Sequence, residues 1–94
     1  MKVKVAVLQY DVPEETDDSF RKLDELVDKA VKMGARLVVA PETAVGNAGE
    51  TKETGVDLLP RLADIANKHG AYLVTSYYKK DGDKFFNQGY VVAP

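Results

Sequence analysis

Two hydrophobic periods share this chain. Val3-Lys4-Val5-Ala6-Val7-Leu8-Gln9-Tyr10 is rich in β-branched residues and reads as a strand. Val3, Val5 and Val7 fall on one face, and Ala6, Leu8 and Tyr10 on the other. Both faces are apolar in the middle, as in a strand buried on both sides. Phe20, Leu23, Leu26, Val27, Ala30 and Val31 then recur at helical spacing, with charged residues between them. Thr16 or Asp17 is placed to cap that helix, and Gly34 to end it in a left-handed turn.

Arg36-Leu37-Val38-Val39-Ala40 is a second doubly apolar strand, closed by Pro41. Thr43 to Gly55 reads as a loop, with Gly46, Asn47, Gly49 and Gly55 and little periodicity. A second helix is expected from about Asp57, with Pro60 in its first turn, Leu62, Ile65 and Ala66 in its stripe, and Gly70 at its end. Ala71 to Tyr78 is a third strand and Phe85 to Ala93 a fourth. Asp81-Gly82 between them signals a hairpin suited to a type I′ turn.

The order β-α-β-α-β-β predicts an α/β fold: a single domain over residues 1–94, with a mainly parallel four-stranded sheet and two helices. Right-handed crossovers favour helices on one face and strands in sequential order, although placing the first strand between the second and third is also allowed. Two helices cannot cover both faces of such a sheet. The second apolar face therefore needs a cover from elsewhere, either further sequence or a second copy of the chain.

Bulk composition narrows the function. The 94 residues carry 13 basic and 15 acidic side chains, a net charge of −2, which provides no field to attract nucleic acid or an anionic membrane. No apolar run approaches the roughly 20 residues that span a bilayer. The first strand is too short and too strand-like for a signal peptide, so a cytoplasmic setting is the default expectation. With no cysteine, the chain has no thiol nucleophile and no zinc–thiolate site.

Glu42 is the first candidate for chemistry. It follows Pro41 just past the carboxyl end of the second strand, where ligands bind in open α/β sheets. A carboxylate held there can act as a general base, although from position alone a solvated loop-start glutamate is the commoner case. The other polar residues read more plainly. His69 suits a capping role at a helix end. Tyr72, Tyr77, Tyr78 and Tyr90 lie on strands and suit packing or an interface rather than base stacking. Asp11, Glu14, Glu15, Asp17 and Asp18 lack the spacing of a calcium loop and suit a solvated helix start. No cofactor or metal is called for.

Four segments carry a resemblance. They are Lys2 to Tyr10; Met33 to Thr43; Ala63 to Val74; and Asp81 to Val92, which includes Phe85-Phe86-Asn87-Gln88-Gly89-Tyr90. In this order and spacing they resemble the N-terminal portion of the nitrilase superfamily of carbon–nitrogen hydrolases. The resemblance implies half of an α-β-β-α sandwich and a Glu–Lys–Cys catalytic set acting on non-peptide C–N bonds, with a small amide or nitrile as substrate of the full-length enzyme. It puts Glu42 at the position of the general base. The family's lysine lies beyond the fourth strand, so Lys79, Lys80 and Lys84 do not match it and read as solvated turn residues. The cysteine lies further on still. Ala44 and Val45 stand where an aromatic residue is frequent. Asn87 matches a hairpin asparagine and is expected to tie loop backbone.

Three readings follow. One is a hydrolase fragment, inactive alone. Another is a structural module that self-associates, most simply a homodimer joined through sheet faces. The third is an unrelated α/β binding domain such as a phospho-receiver. Tyr77-Tyr78-Lys79 at the end of the third strand argues against the last, since a receiver needs an acceptor aspartate on a central strand.

Overall fold

A computed structural model describes residues 2–45 and 57–94. Its elements are β1 (Val5–Val7), α1 (Thr16–Lys32), β2 (Leu37–Val39), α2 (Leu59–His69), β3 (Tyr72–Asp81) and β4 (Lys84–Val92). The strands lie in the order β1-β2-β3-β4. The first three are parallel, and β4 returns antiparallel to β3. This is the sequential arrangement favoured above. The two crossovers run in the same direction across the sheet, which puts both helices on one face.

Strand alternation sorts the side chains. Val38, Ala40, Leu73 and Tyr77 face the helices and are buried, where they meet Leu23, Val27, Leu62 and Ile65. The other face holds Val5, Val7, Leu37, Val39, Tyr72, Val74 and Val91. On it Val7 is 75% exposed, Val91 71%, Val5 50% and Tyr72 48%. The first strand is thus not buried on both sides in this chain. Its second apolar face is present and uncovered.

Both helices are amphipathic, but their starts differ from expectation. The N-cap of α1 is Glu15, with no side-chain cap. Thr16 lies one residue inside, and the Ser19 hydroxyl donates back to its carbonyl at 2.7 Å. For α2, Pro60 sits in the first turn as expected, and Asp57 Oδ1 accepts from the Leu59 N–H at 3.1 Å. Both ends follow the glycines: Gly34 has φ 96° and Gly70 φ 64°. Lys4 Nζ also donates to the Met33 carbonyl at 2.9 Å, tying the start of β1 to the end of α1.

His69 does more than end its own helix. Its Nε2 lies 2.7 Å from Asp24 Oδ1 on α1, and Lys68 Nζ reaches the same carboxylate at 3.0 Å. The expected capping role is replaced by a cross-helix tie. At the other end of the helix pair, Arg61 stacks 3.9 Å over the Phe20 ring and pairs with Asp17 at 3.0 Å.

The hairpin is displaced by one residue from its expected type. Asp81 pairs with Lys84, so the loop residues are Gly82 and Asp83. Only Gly82 has positive φ, at 63°. That pattern is a type II′ turn, which needs glycine at its first loop position, rather than type I′. The expected loop from Thr43 is described only as far as Val45, and Gly46, Asn47, Gly49 and Gly55 lie outside the described residues. Ala44 and Val45 are fully buried. Among the described residues, no helix is long and apolar enough to cross a membrane.

Candidate functional site at the carboxyl end of the sheet

β2 ends at Val39, and the chain then turns sharply. Ala40 N–H still donates to the Val74 carbonyl at 2.8 Å, which extends the ladder by one bond. Two hydroxyls from β3 hold the next residues. Thr75 Oγ1 donates to the Pro41 carbonyl at 3.0 Å, and the Thr43 N–H donates to Ser76 Oγ at 2.9 Å. The Thr43 hydroxyl in turn donates to the Glu42 carbonyl at 2.7 Å. Glu42 is therefore pinned on both sides by β3.

Thr43 has φ 53°, the only positive φ of a non-glycine residue among those described. A β-branched residue there is strained, by about 1–3 kcal/mol. The hydrogen bonds to Ser76 and Glu42 hold it there. The consequence is a tight reversal that carries the Glu42 side chain to the uncovered face of the sheet.

On that face it meets Asn87. Asn87 Nδ2 donates to Glu42 Oε1 at 2.5 Å. Asn87 lies on β4 in register with Tyr78, on the same face as Val91. The sequence reading placed Asn87 as a tie for loop backbone, and this is corrected: its amide goes to a carboxylate. Glu42 Oε2 has no hydrogen-bond partner among the described residues, and Glu42 is exposed. Gly89, between Asn87 and Val91, leaves open space where a side chain would stand. The arrangement offers one carboxylate oxygen that is held and one that is free to accept a proton.

Behind the site, on the helix face, the Tyr77 and Tyr90 rings stack with centroids 4.8 Å apart and planes 10° from parallel. Tyr77 hydroxyl donates to Asp57 Oδ1 at 3.2 Å. Burial, with the Tyr90 contact and the nearby Asp57 carboxylate, pushes the Tyr77 phenol well above its usual range. The packing role expected of these two tyrosines is what the structure shows. Tyr10, just past β1, is different: its hydroxyl is buried with no hydrogen-bond partner among the described residues, and burial raises its pKa from 10.0 to about 12.

Among the described residues, the remaining candidates make no hydrogen bond or ion pair with the Glu42 side chain. Lys79, Lys80 and Lys84 are exposed along the outer hairpin. Asp17 and Asp18 are exposed and pair with arginines. Among the described residues no three histidine or acidic side chains gather as a metal site would require. The sequence reading missed Thr75, Ser76 and Thr43. Two adjacent hydroxyl residues in an otherwise apolar and aromatic strand were the available signal for the first two.

This geometry has relatives. A protein named nitrilase from Pyrococcus abyssi (strain GE5 / Orsay) is 36% identical over 104 residues, covering 98% of this chain. The chain spans only 39% of that relative's length. Among solved structures, a cysteine-to-alanine mutant of the Nesterenkonia AN1 amidase from the nitrilase superfamily aligns with a TM-score of 0.78 at 20% identity, over 97% of this chain and 38% of that one. A double mutant of the same amidase, in complex with acrylamide, aligns at 0.77 and 19% identity, over 95% of this chain and 37% of that one. A glutamine-dependent NAD+ synthetase from Acinetobacter baumannii aligns at 0.69 and 23% identity, over 99% of this chain and 19% of that one. These likenesses show the fold: two helices on a mostly parallel four-stranded sheet, as in nitrilase-fold proteins. Residues 4–94 match the carbon–nitrogen hydrolase family, and this chain belongs to it.

Proposed function

We propose that this chain is the N-terminal part of an enzyme that hydrolyses non-peptide carbon–nitrogen bonds, with Glu42 as its general base. The observation that carries this reading is the Glu42 carboxylate, held at the end of β2 on the uncovered sheet face with Oε2 open. A second layer laid on that face would enclose the carboxylate and bring its own side chains to it.

The chemistry follows from a carboxylate so placed. A cysteine thiol from the covering layer gives its proton to Glu42, and the thiolate attacks the amide carbonyl carbon. A lysine stabilises the oxyanion that forms from an amide. The protonated Glu42 then returns the proton to the departing amine, leaving a thioester. Water, deprotonated by Glu42, attacks the thioester and releases acid and thiol. A small amide is the favoured substrate class, supported by the acrylamide complex of the related amidase. The chain has no cysteine, and among the described residues no hairpin lysine pairs with Glu42.

Two assays test this. The isolated chain should turn over no simple amide or nitrile, since loss of the nucleophile costs about six orders of magnitude in a hydrolase triad. A longer protein carrying this segment with a lysine and a cysteine should hydrolyse small amides, and Glu42→Gln should abolish that turnover. An active longer enzyme indifferent to Glu42→Gln would refute the assignment.

A second reading is favoured by one feature, the bare face itself. Val5, Val7, Tyr72 and Val91 form a continuous apolar surface of the kind that soluble monomers bury. Taken alone, the chain is proposed to pair with a second copy through this face, sheet on sheet, in a two-fold dimer. Light scattering at micromolar concentration reads this directly. A monomer that binds no hydrophobic dye would refute it.

A further inference from the structure

A glutamate on a loop turns about three side-chain torsions, and a base that wanders is a poor base. Proton transfer needs the accepting oxygen within hydrogen-bond reach of the donor in a fixed direction. The backbone of Glu42 is already fixed by Thr75 and Ser76 of β3. Its side chain needs a separate restraint, and that restraint comes from another strand.

Asn87 of β4 donates its Nδ2 to Glu42 Oε1 at 2.5 Å, a close contact with a charged acceptor. A carboxylate only accepts, so the amide must present nitrogen rather than oxygen to it. An amide is also the suitable chemical choice. It carries no charge to neutralise the base, as lysine or arginine would. It has no proton to lose at ordinary pH, so it does not compete in the transfer.

We infer that Asn87 is a positioning residue for Glu42, holding Oε1 and leaving Oε2 as the oxygen that takes the proton. The inference rests on the reading of Glu42 as general base. Its mechanics, however, belong to this chain alone and can be measured without turnover. Gly89 lies two residues along the same face of β4, and a side chain built there would meet nothing within 4 Å, so that part of the face beside Asn87 is open.

The test uses the 94-residue chain, isotopically labelled, in solution NMR. In the parent, one Asn87 amide proton should lie downfield of those of Asn67, and the Glu42 γ-methylene protons should be inequivalent, with couplings of a single rotamer. Asn87→Asp, of equal size but with no donor, and Asn87→Ala should both average those couplings while the other backbone amides stay in place. In Glu42→Gln the Asn87 proton should move upfield. A role confined to the strand would instead disturb β4 amides and leave the Glu42 rotamer intact. A single Glu42 rotamer retained in both Asn87 variants would overturn the proposal. So would an Asn87 amide indifferent to Glu42→Gln, a reading that does not depend on any Asn87 variant folding. Neither result bears on whether a longer protein is a hydrolase, which only the amide assay decides.

Discussion

His69 Nε2 sits 2.7 Å from Asp24 Oδ1, and this contact joins the last turn of α2 to the middle of α1. The imidazole is almost wholly buried, with 7% of its side chain exposed, while the carboxylate is one-third exposed. Partial burial of Asp24 raises its pKa. The hydrogen bonds from His69 and Lys68, with their charges, outweigh that and hold it below the ordinary 3.8. A carboxyl depressed in the folded state favours folding above its unfolded value, and this contribution disappears as pH falls through the folded value. Stability should therefore drop as pH falls below about 4. Asp24→Asn should flatten that drop and cost about 0.5–1 kcal/mol at neutral pH, allowing for solvent screening. Urea unfolding across this pH range checks both, and equal acid slopes in parent and variant would refute the account.

Tyr10 gives the opposite sign. Its phenol is raised from 10.0 to about 12 by burial. The protonated form favours the fold, and stability should fall as pH rises from about 10 toward 12. Tyr10→Phe removes a buried hydroxyl that has no partner among the described residues. It should raise stability by about 1 kcal/mol and abolish the alkaline loss. Thermal unfolding at neutral and alkaline pH measures this.

Glu42→Gln should leave stability within about 0.5 kcal/mol of the parent, because a glutamine oxygen still accepts from Asn87. Denaturant midpoints at neutral pH decide it. A larger loss would mean that the negative charge itself is needed for the fold.

Gly89 lies in extended backbone with open space around its absent side chain. Gly89→Ala should stabilise the isolated chain by about 0.5 kcal/mol, since alanine gives up less backbone freedom in a strand. In a longer protein with the face covered, the same change should crowd the Glu42 site and lower turnover without unfolding. The contrast between the two measurements is the expected outcome.

Val7→Lys and Val91→Lys place charges on the bare face, where the native valines are 75% and 71% exposed. Each should leave the monomer fold intact, within about 0.5 kcal/mol, and raise the dissociation constant of any face-to-face dimer by at least tenfold. Sedimentation of parent and variants tests it. Equal association in all three would assign the contact to another surface.

Element order, the helix stripes and the sequential sheet were legible because period and glycine stops agree at each boundary. Gly34 and Gly70 end the helices where the apolar stripes end. The site was legible in one residue only. Glu42 stood out by its place after Pro41, while Asn87 is 45 residues away and its direction depends on the hairpin register. The helix-start signals misled because side-chain caps are local, whereas Thr16 and Ser19 turn inward. His69 misled for a related reason: a residue at a helix end can reach a neighbouring helix, and the sequence does not say which helix is adjacent. The turn type followed from one residue of register, which Asp81-Gly82-Asp83 leaves open.

β3 runs ten residues while β2 runs three, so the hairpin outlasts its neighbour and projects. The molecule is 45 Å long against 23 Å across. Beyond Tyr78 and Asn87 the hairpin is a ribbon of two strands, a structure that is marginal in water by itself. Asn87 sits where that ribbon leaves the sheet, opposite Tyr78 and one step past the Tyr77–Tyr90 side of the fold. Fraying that starts at Gly82 must pass Lys79 and Phe86 before it frees the Asn87 amide. The lifetime of the Glu42 contact is thus tied to how often a ribbon unzips from its tip, and deuterium uptake should fall in steps from Lys84 toward Tyr90.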